Sequence, residues 1–341
     1  MRACVFHEPG RPLTVETIPD PAPGELEVVV KVGRCGICGT DLHLTQADAG
    51  KLGMRPGTVL GHEFSGEVVA LGAGVASLKV GDAVAVMPFV GCGRCLACLS
   101  GEPSQCPQAR GNGLGGAPGG YAQYALAGER ACVPLPAGVG LDAGALVEPM
   151  AVSLHGVRMA GIRPGDRALV IGAGPIGLAA AYWAKRAGAK VAVTATSGRR
   201  EDLAISMGAD MFITPDPGQR LSREAADALG GPPDVVLECV GLPGLIDKSI
   251  ECVRRRGLVV VLGFCIPPDT IRPTTGFAKE ARIQFSALYD RREFEITVEA
   301  LEAGAPQAMA MITDVVGLDE TPAAFEALRE RTHQCKVQIA P

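Results

Sequence analysis

Long unbroken apolar runs, blocks of one charge sign and repeated or low-complexity segments are all scarce in this 341-residue chain. The longest apolar run, Ala168 to Ala184, holds three glycines and a proline and is flanked by charges, so it is too broken for a membrane span. Met1-Arg2-Ala3-Cys4-Val5-Phe6-His7 contains no apolar signal-peptide core. The net charge is −5 and no Lys/Arg block stands out, which argues against a nucleic-acid or anionic-membrane surface. No period marks a repeat architecture. These absences lead us to expect a soluble, cytoplasmic protein. In a reducing compartment its 12 cysteines are thiols and metal ligands rather than disulfides.

The length suits two domains, and the 47% hydrophobic content lets each bury a core. Val28 to Val32 reads as a strand after the turn cluster at 19–24. Gly36-Ile37-Cys38-Gly39-Thr40-Asp41-Leu42-His43 then offers a thiolate, a hydroxyl, a carboxylate and an imidazole within eight residues. Gly61-His62-Glu63 precedes a strand read at 67–70, and Val147-Glu148-Pro149 lies among small apolar residues. A carboxylate in such a run needs a partner, which a metal supplies; a solvent-facing Glu at a helix start is the alternative. Cys38, His62 and Glu148 together make a three-ligand zinc set with one open position. Cys38 could instead be an inert buried thiol, or half of a Cys35/Cys38 redox pair, though no thioredoxin-like pattern surrounds it.

Cys92, Cys95 and Cys98, with Cys106 beyond them, have the spacing of a closed tetrahedral four-thiolate site. Such a zinc organises a loop and leaves no position for chemistry. An iron–sulfur cluster uses similar spacing. The glycine-rich stretch 111–120 reads as a tight turn entering a strand, or else as a flexible linker.

From Arg167 to Leu262 strands alternate with helical stretches, the pattern of a doubly wound parallel sheet. Gly172, Gly174, Pro175, Ile176 and Gly177 turn the strand Ala168–Ile171 into a helix, the setting in which a glycine-rich turn cradles a pyrophosphate. NAD-binding versions carry an acid on the ribose about 20 residues further on. Here that stretch is Thr194-Ala195-Thr196-Ser197-Gly198-Arg199-Arg200, and Glu201 comes only where the next helix should have begun. Hydroxyls at Thr196 and Ser197 and guanidiniums at Arg199 and Arg200 suit a 2′-phosphate, so NADP(H) is favoured over NAD(H). Gly263 and Phe264 are also expected at the cofactor.

These five motifs, in this order, resemble those of the zinc-dependent medium-chain alcohol dehydrogenases. The match is to the branch with Glu as a catalytic-zinc ligand, which includes polyol, threonine and secondary-alcohol dehydrogenases. The resemblance spans essentially the whole chain. It implies an α/β protein with a GroES-like β-rich catalytic domain at 1–149 and 289–341, carrying a structural zinc lobe near 91–107, and a Rossmann domain at 150–288. It further implies two zincs per chain, one held by Cys38, His62 and Glu148, with Glu63 an occasional contact, and one by the four lobe cysteines. Asp41 orients the ligand histidine, while Thr40 and His43 form a proton relay. The implied activity interconverts an alcohol and its ketone or aldehyde by hydride transfer, in a homodimer or homotetramer.

Polyol dehydrogenases often carry Arg-Tyr where this chain has Leu288-Tyr289. The loss of that arginine makes the pocket less polar and favours a less hydroxylated secondary alcohol. An NAD-dependent polyol or threonine dehydrogenase is the alternative. A zinc-bearing binding protein without turnover is the non-enzyme alternative, but it gives Thr40 and His43 no purpose.

Overall fold

A computed structural model describes residues 1–46, 53–100, 102–330 and 333–341. The chain divides into two compact units, Met1–Glu148 with Asp290–Pro341, and Pro149–Tyr289. Among the described residues ten strands open the first unit: β1 (Arg2–Phe6), β2 (Thr14–Thr17), β3 (Glu27–Gly36), β4 (Thr58–Val59), β5 (Glu63–Leu71), β6 (Ala83–Val86), β7 (Phe89–Val90), β8 (Arg110–Gly111), β9 (Tyr124–Gly128) and β10 (Cys132–Pro134). The second unit contributes β11 (Arg167–Ile171), β12 (Lys190–Thr194), β13 (Met211–Ile213), β14 (Val235–Glu238), β15 (Leu258–Val261) and β16 (Arg282–Phe285). The chain then returns to the first unit with β17 (Ile312–Gly317) and β18 (Lys336–Ala340).

The main sheet of the first unit runs β10-β6-β5-β3-β18-β17, with β9 also paired to β3. β3 is the hub. Its run of valines is buried almost throughout, as a central strand with both faces covered requires. Val28, Val30, Phe64, Val68, Tyr121 and Phe325 meet in the core beside it. β5 begins at Glu63, four residues earlier than the strand read from sequence. Ser65 and Gly66 look like turn residues, but Phe64 to Glu67 pair with β6 on one side and β3 on the other, and this pairing overrides local preference. β3 and β5 approach so closely that a Cβ on Gly66 would lie 2.1 Å from the Lys31 carbonyl oxygen.

The six strands of the second unit are all parallel, in the order β13-β12-β11-β14-β15-β16. The chain steps outward from β11 to β13, then returns to lay β14 on the other side of β11. This reversal puts the topological switch point, where open α/β sheets bind their ligands, beyond the carboxyl ends of β11 and β14. β11 and β15 are apolar and buried, and the helix Pro175–Arg186 buries Leu178 through Ala184. Among the described residues no helix is long and apolar enough to cross a membrane.

Candidate metal centres and cofactor crevice

Cys38 leaves the end of β3 as the N-cap of the short helix Gly39–Leu44. Its sulfur accepts the Thr40 N–H at 3.4 Å, and its own N–H donates to Asp41 Oδ2 at 3.2 Å. This reciprocal box turns the Asp41 carboxylate inward, where it is fully buried. Two glycines make room for the neighbouring segment. A Cβ at Gly36 would lie 2.0 Å from Glu63 Oε2. At Gly61, where φ is +96°, a Cβ would strike the Tyr121 ring at 2.4 Å. Hence Gly36 and Gly61 bracket the site because side chains have no space there.

The result is a group in which the ligand atoms of Cys38, His62 and Glu63 all lie within 4.8 Å of one another. His62 Nδ1 sits 3.2 Å from Asp41 Oδ1, which leaves Nε2 for a metal, and Tyr121 donates its hydroxyl to Asp41 Oδ2 at 2.7 Å. A carboxylate behind a histidine fixes its tautomer and raises its basicity. Burial pulls the His62 pKa down, but Asp41 and Cys38 outweigh it and hold the imidazole well above its ordinary value. A sulfur and a carboxylate grouped around one imidazole favour a cation at that point, the electrostatic condition a divalent metal meets. The donor set of thiolate, imidazole and carboxylate is one zinc accepts.

Glu63 is less open to a metal than a free carboxylate. Its two oxygens take the buried Lys336 ammonium at 2.8 and 2.6 Å, and Lys336 also donates to the Ile37 carbonyl at 3.1 Å. Burial lowers the Lys336 pKa, but Glu63 more than reverses this, so the ammonium stays charged. Glu148 lies in the first turn of the helix Val147–Ala160 and is 5% exposed, so it is not a solvent-facing residue. Its carboxylate does not join the three atoms grouped around Cys38. Thr40 lies in the first turn and His43 in the last turn of Gly39–Leu44, and both are half-buried.

Sequence reasoning passed over Tyr121 and Lys336. Lys336 gave a signal: a lysine beside Val337 and Ile339 in a terminal strand needs a partner as much as Glu148 does. Tyr121 gave none, because its role depends on the stretch 111–120. That stretch is no linker. Gly119 and Gly120 donate to the carbonyls of Val59 and Gly61 at 2.9 and 2.8 Å, which lays Tyr121 against Gly61 with its hydroxyl on Asp41.

The second cluster is Cys92, Cys95, Cys98 and Cys106, whose four sulfurs also lie within 4.8 Å of one another. The N–H groups of Cys92 and Gln108 both point at Cys106 Sγ, each at 3.4 Å. Backbone N–H groups of Arg94 and Cys95 pull the Cys92 thiol down to about 6, while burial pushes Cys98 up to about 12. Four sulfurs without a fifth donor fit a tetrahedral structural zinc. Cys35 is buried in β3, and no disulfide joins any of the 12 cysteines.

In the second unit the turn after β11 is shaped for a pyrophosphate. Gly172 has φ +106°, a Cβ on Gly177 would lie 1.8 Å from the Gly172 carbonyl oxygen, and a Cβ on Gly174 would meet nothing within 4 Å. The open face at Gly174 leads into the helix that begins at Pro175. Beyond β12, Ser197 caps a short 3₁₀ turn, Gly198–Arg200. Arg199 Nε reaches Ser197 Oγ at 3.4 Å, and Arg200 donates to the Ala173 carbonyl at 2.8 Å, tying this turn to the glycine-rich one.

Comparison with known proteins agrees with both centres. The alcohol dehydrogenase GroES-like domain family matches residues 24–137, and the zinc-binding dehydrogenase family matches 175–303. The sorbitol dehydrogenase of Bacillus subtilis (strain 168) is 31% identical over 100% of this chain and 97% of its own length. A structure named as a zinc-binding dehydrogenase, from Sinorhizobium meliloti 1021 and bound to NADP, superposes with a TM-score of 0.90 at 30% identity. It covers 100% of this chain and 99% of that one. One named a short chain alcohol dehydrogenase, from E. coli CFT073 and complexed with NADH, gives 0.88 at 27% identity over 100% and 99%. The chain belongs to the zinc-dependent medium-chain alcohol dehydrogenases. It is an NAD(P)-linked alcohol or polyol dehydrogenase with a four-cysteine structural site and a Cys/His/Glu catalytic site.

Proposed function

We propose that this enzyme interconverts a lightly hydroxylated secondary alcohol and its ketone, with NADP(H) preferred. The observation that carries the reading is the Cys38–His62–Asp41–Tyr121 constellation: an anion-backed imidazole beside a thiolate. When bound, zinc supplies a Lewis acid for the substrate oxygen, and the nicotinamide gives or takes a hydride. Cys38 and His62 would hold the metal with Glu148 as the third ligand, and Glu63 would be an occasional contact, its oxygens being engaged by Lys336. Asp41 keeps His62 in the Nδ1–H tautomer. Thr40 takes the hydroxyl proton, and His43 passes it to solvent.

The cofactor preference rests on the missing acid after β12 and on Arg199 and Arg200 near the glycine-rich turn, with Thr196 and Ser197 as hydroxyl partners. The NADP in the Sinorhizobium meliloti structure supports it. Leu288 in place of an arginine favours a less polar substrate. Its backbone sits at φ +65°, uncommon for a residue with a Cβ. The second reading, an NAD-linked polyol dehydrogenase, is favoured by the sorbitol dehydrogenase relative and by the NADH-bound structure. Twelve cysteines with no disulfide among them suit the cytoplasm. We read the molecule as a homodimer or larger assembly joined through β16, whose four residues are all exposed.

A panel of ketones, aldehydes and polyols, followed with NADPH and NADH in parallel and with zinc assayed on the same sample, tests these assignments. NADPH preference of about tenfold or more that falls on Arg200→Ala supports the 2′-phosphate reading. Equal use of NADH, with a polyol as best substrate, overturns it in favour of the second.

A further inference from the structure

Glu238 ends β14 and is 1% exposed, a buried carboxylate that no step above uses. Its Oε1 accepts two backbone N–H groups, from Val240 at 2.7 Å and Gly241 at 3.0 Å. Its carbonyl accepts two more, from Leu262 at 2.8 Å and Gly263 at 2.9 Å. The N–H of the next residue, Cys239, donates to the Ile171 carbonyl at the end of β11. Glu238 and Cys239 therefore tie together the carboxyl ends of β11, β14 and β15, at the switch point of the sheet. Burial holds its acid above the ordinary range even though the two N–H donors pull it down.

The turn 239–241 fastened in this way packs closely on its neighbours. A Cβ on Gly172, the first glycine of the pyrophosphate turn, would lie 2.6 Å from Val240 Cγ2. A Cβ on Gly241 would run into the backbone of Phe264 at 2.6 Å, and one on Gly263 would meet Glu238 Oε2 at 2.5 Å. Val240 and Phe264 nonetheless remain 37% and 42% exposed. The apolar rim is thus fixed from below and open above. In a doubly wound sheet the ribose recognised after the second strand lies over β12, and the pyrophosphate lies at the turn after β11. The remaining half of a dinucleotide must therefore extend over β14 and β15, where this rim stands.

We propose that Glu238 is a positioning residue for the nicotinamide half of the cofactor, holding Val240 and Phe264 as a preformed apolar seat through its two backbone hydrogen bonds. The inference rests on the NAD(P) reading but not on the choice between NADP and NAD. Its role is that of an acceptor. Glutamine, whose amide oxygen still accepts both N–H groups, preserves it, whereas alanine abolishes it. Leucine, of comparable bulk but with no oxygen to accept either N–H, abolishes it as well.

Calorimetric titration of the zinc-loaded protein with NADPH, NADH, 2′,5′-ADP and 5′-AMP tests this without turnover. For Glu238→Ala the Kd of the better-bound dinucleotide is expected to rise about tenfold or more, while that of the better-bound adenosine fragment changes by less than about twofold. Glu238→Gln stays within about threefold of wild type on both ligands. If the alanine variant does not fold, Glu238→Leu decides, and it should show the same split. Equal weakening of dinucleotide and fragment would mean general loosening of the domain and would overturn the proposal; so would a leucine or alanine variant that binds the dinucleotide like wild type. Failure of the 2′-phosphate reading shows separately, in the wild type alone, as 5′-AMP binding no weaker than 2′,5′-ADP.

Discussion

Asp41 has two oxygens and three partners: His62 on Oδ1, and the Tyr121 hydroxyl and the Cys38 N–H on Oδ2. Tyr121 is itself fully buried, so its hydroxyl has no water to turn to. Removing that donor leaves Asp41 under-satisfied and free to drift from the histidine it orients. Tyr121→Phe is expected to weaken zinc retention about tenfold or more, within the range found for outer partners of metal ligands. Competition with a chromogenic chelator measures it, and unchanged retention would assign Tyr121 to packing alone. Lys336 and Glu63 form a different kind of pair, 3% and 1% exposed. Breaking a buried pair strands a charge and costs roughly 3–5 kcal/mol, whereas removing both charges is far milder. Lys336→Met is therefore expected to lose about that much stability in urea denaturation of the zinc-loaded protein, and adding Glu63→Gln to restore most of it. A single variant as stable as wild type would mean that Glu63 is neutralised by something other than Lys336.

Legibility at the level of elements followed the range of the forces involved. The turn after β11 and the four-cysteine lobe were readable because each is a local device: the spacing of glycines or sulfurs along the chain is itself the geometry. The Cys38 helix start was readable for the same reason. The support around the site was not, since Tyr121 meets Asp41 and Lys336 meets Glu63 across 80 and 273 positions in sequence, and only long-range contacts bring them together. The start of β5 was misplaced on the same grounds. Glu238 was visible only as the last residue of a strand, because its hydrogen bonds define a turn that has no sequence signature. A similar long-range device ties β14 to β11. Asp234 accepts the Arg167 N–H at 2.9 Å and faces the guanidinium of Arg254 at 2.5 Å. Burial pushes the Asp234 carboxyl up, but the Arg167 N–H and the guanidiniums of Arg254 and Arg167 outweigh it and hold the pKa below its ordinary value. A carboxylate depressed on folding stabilises above its unfolded pKa of about 3.9, and loses that contribution as pH falls through the lower, folded value. Asp234→Asn should therefore be less stable than wild type near pH 7, with the gap closing as the pH drops well below about 4. Urea midpoints at both pH values measure the gap; one that persists undiminished in acid would show that the charge is not what matters.

For the whole molecule the unsolved surface is the free side of β16. An edge strand offers a row of unpaired N–H and C=O groups, and chains that stay monomeric usually blunt it with charge, proline or a bulge. Here Arg282-Ile283-Gln284-Phe285 is exposed along its length, with Phe285 at 66%, and Phe277 on the preceding helix is 87% exposed. Such a strip is self-complementary about a two-fold axis: two copies of β16 running antiparallel would pair their free backbone groups and bring the phenylalanines of both copies together. The pairing would also continue the parallel sheet of one subunit into that of the next, leaving the carboxyl ends of β11 and β14 clear for the cofactor. Ile283→Lys places a buried-on-pairing charge from each copy near the dyad and is expected to shift the sedimenting species from a multiple of the 35.1 kDa chain to the single chain. Because the Glu238 clamp and the glycine-rich turn lie at the carboxyl ends of strands inside the sheet, that monomer should still bind dinucleotide. A wild type that already sediments as one chain would remove β16 from the interface, and a monomeric variant that no longer binds dinucleotide would show that the cofactor crevice depends on the pairing.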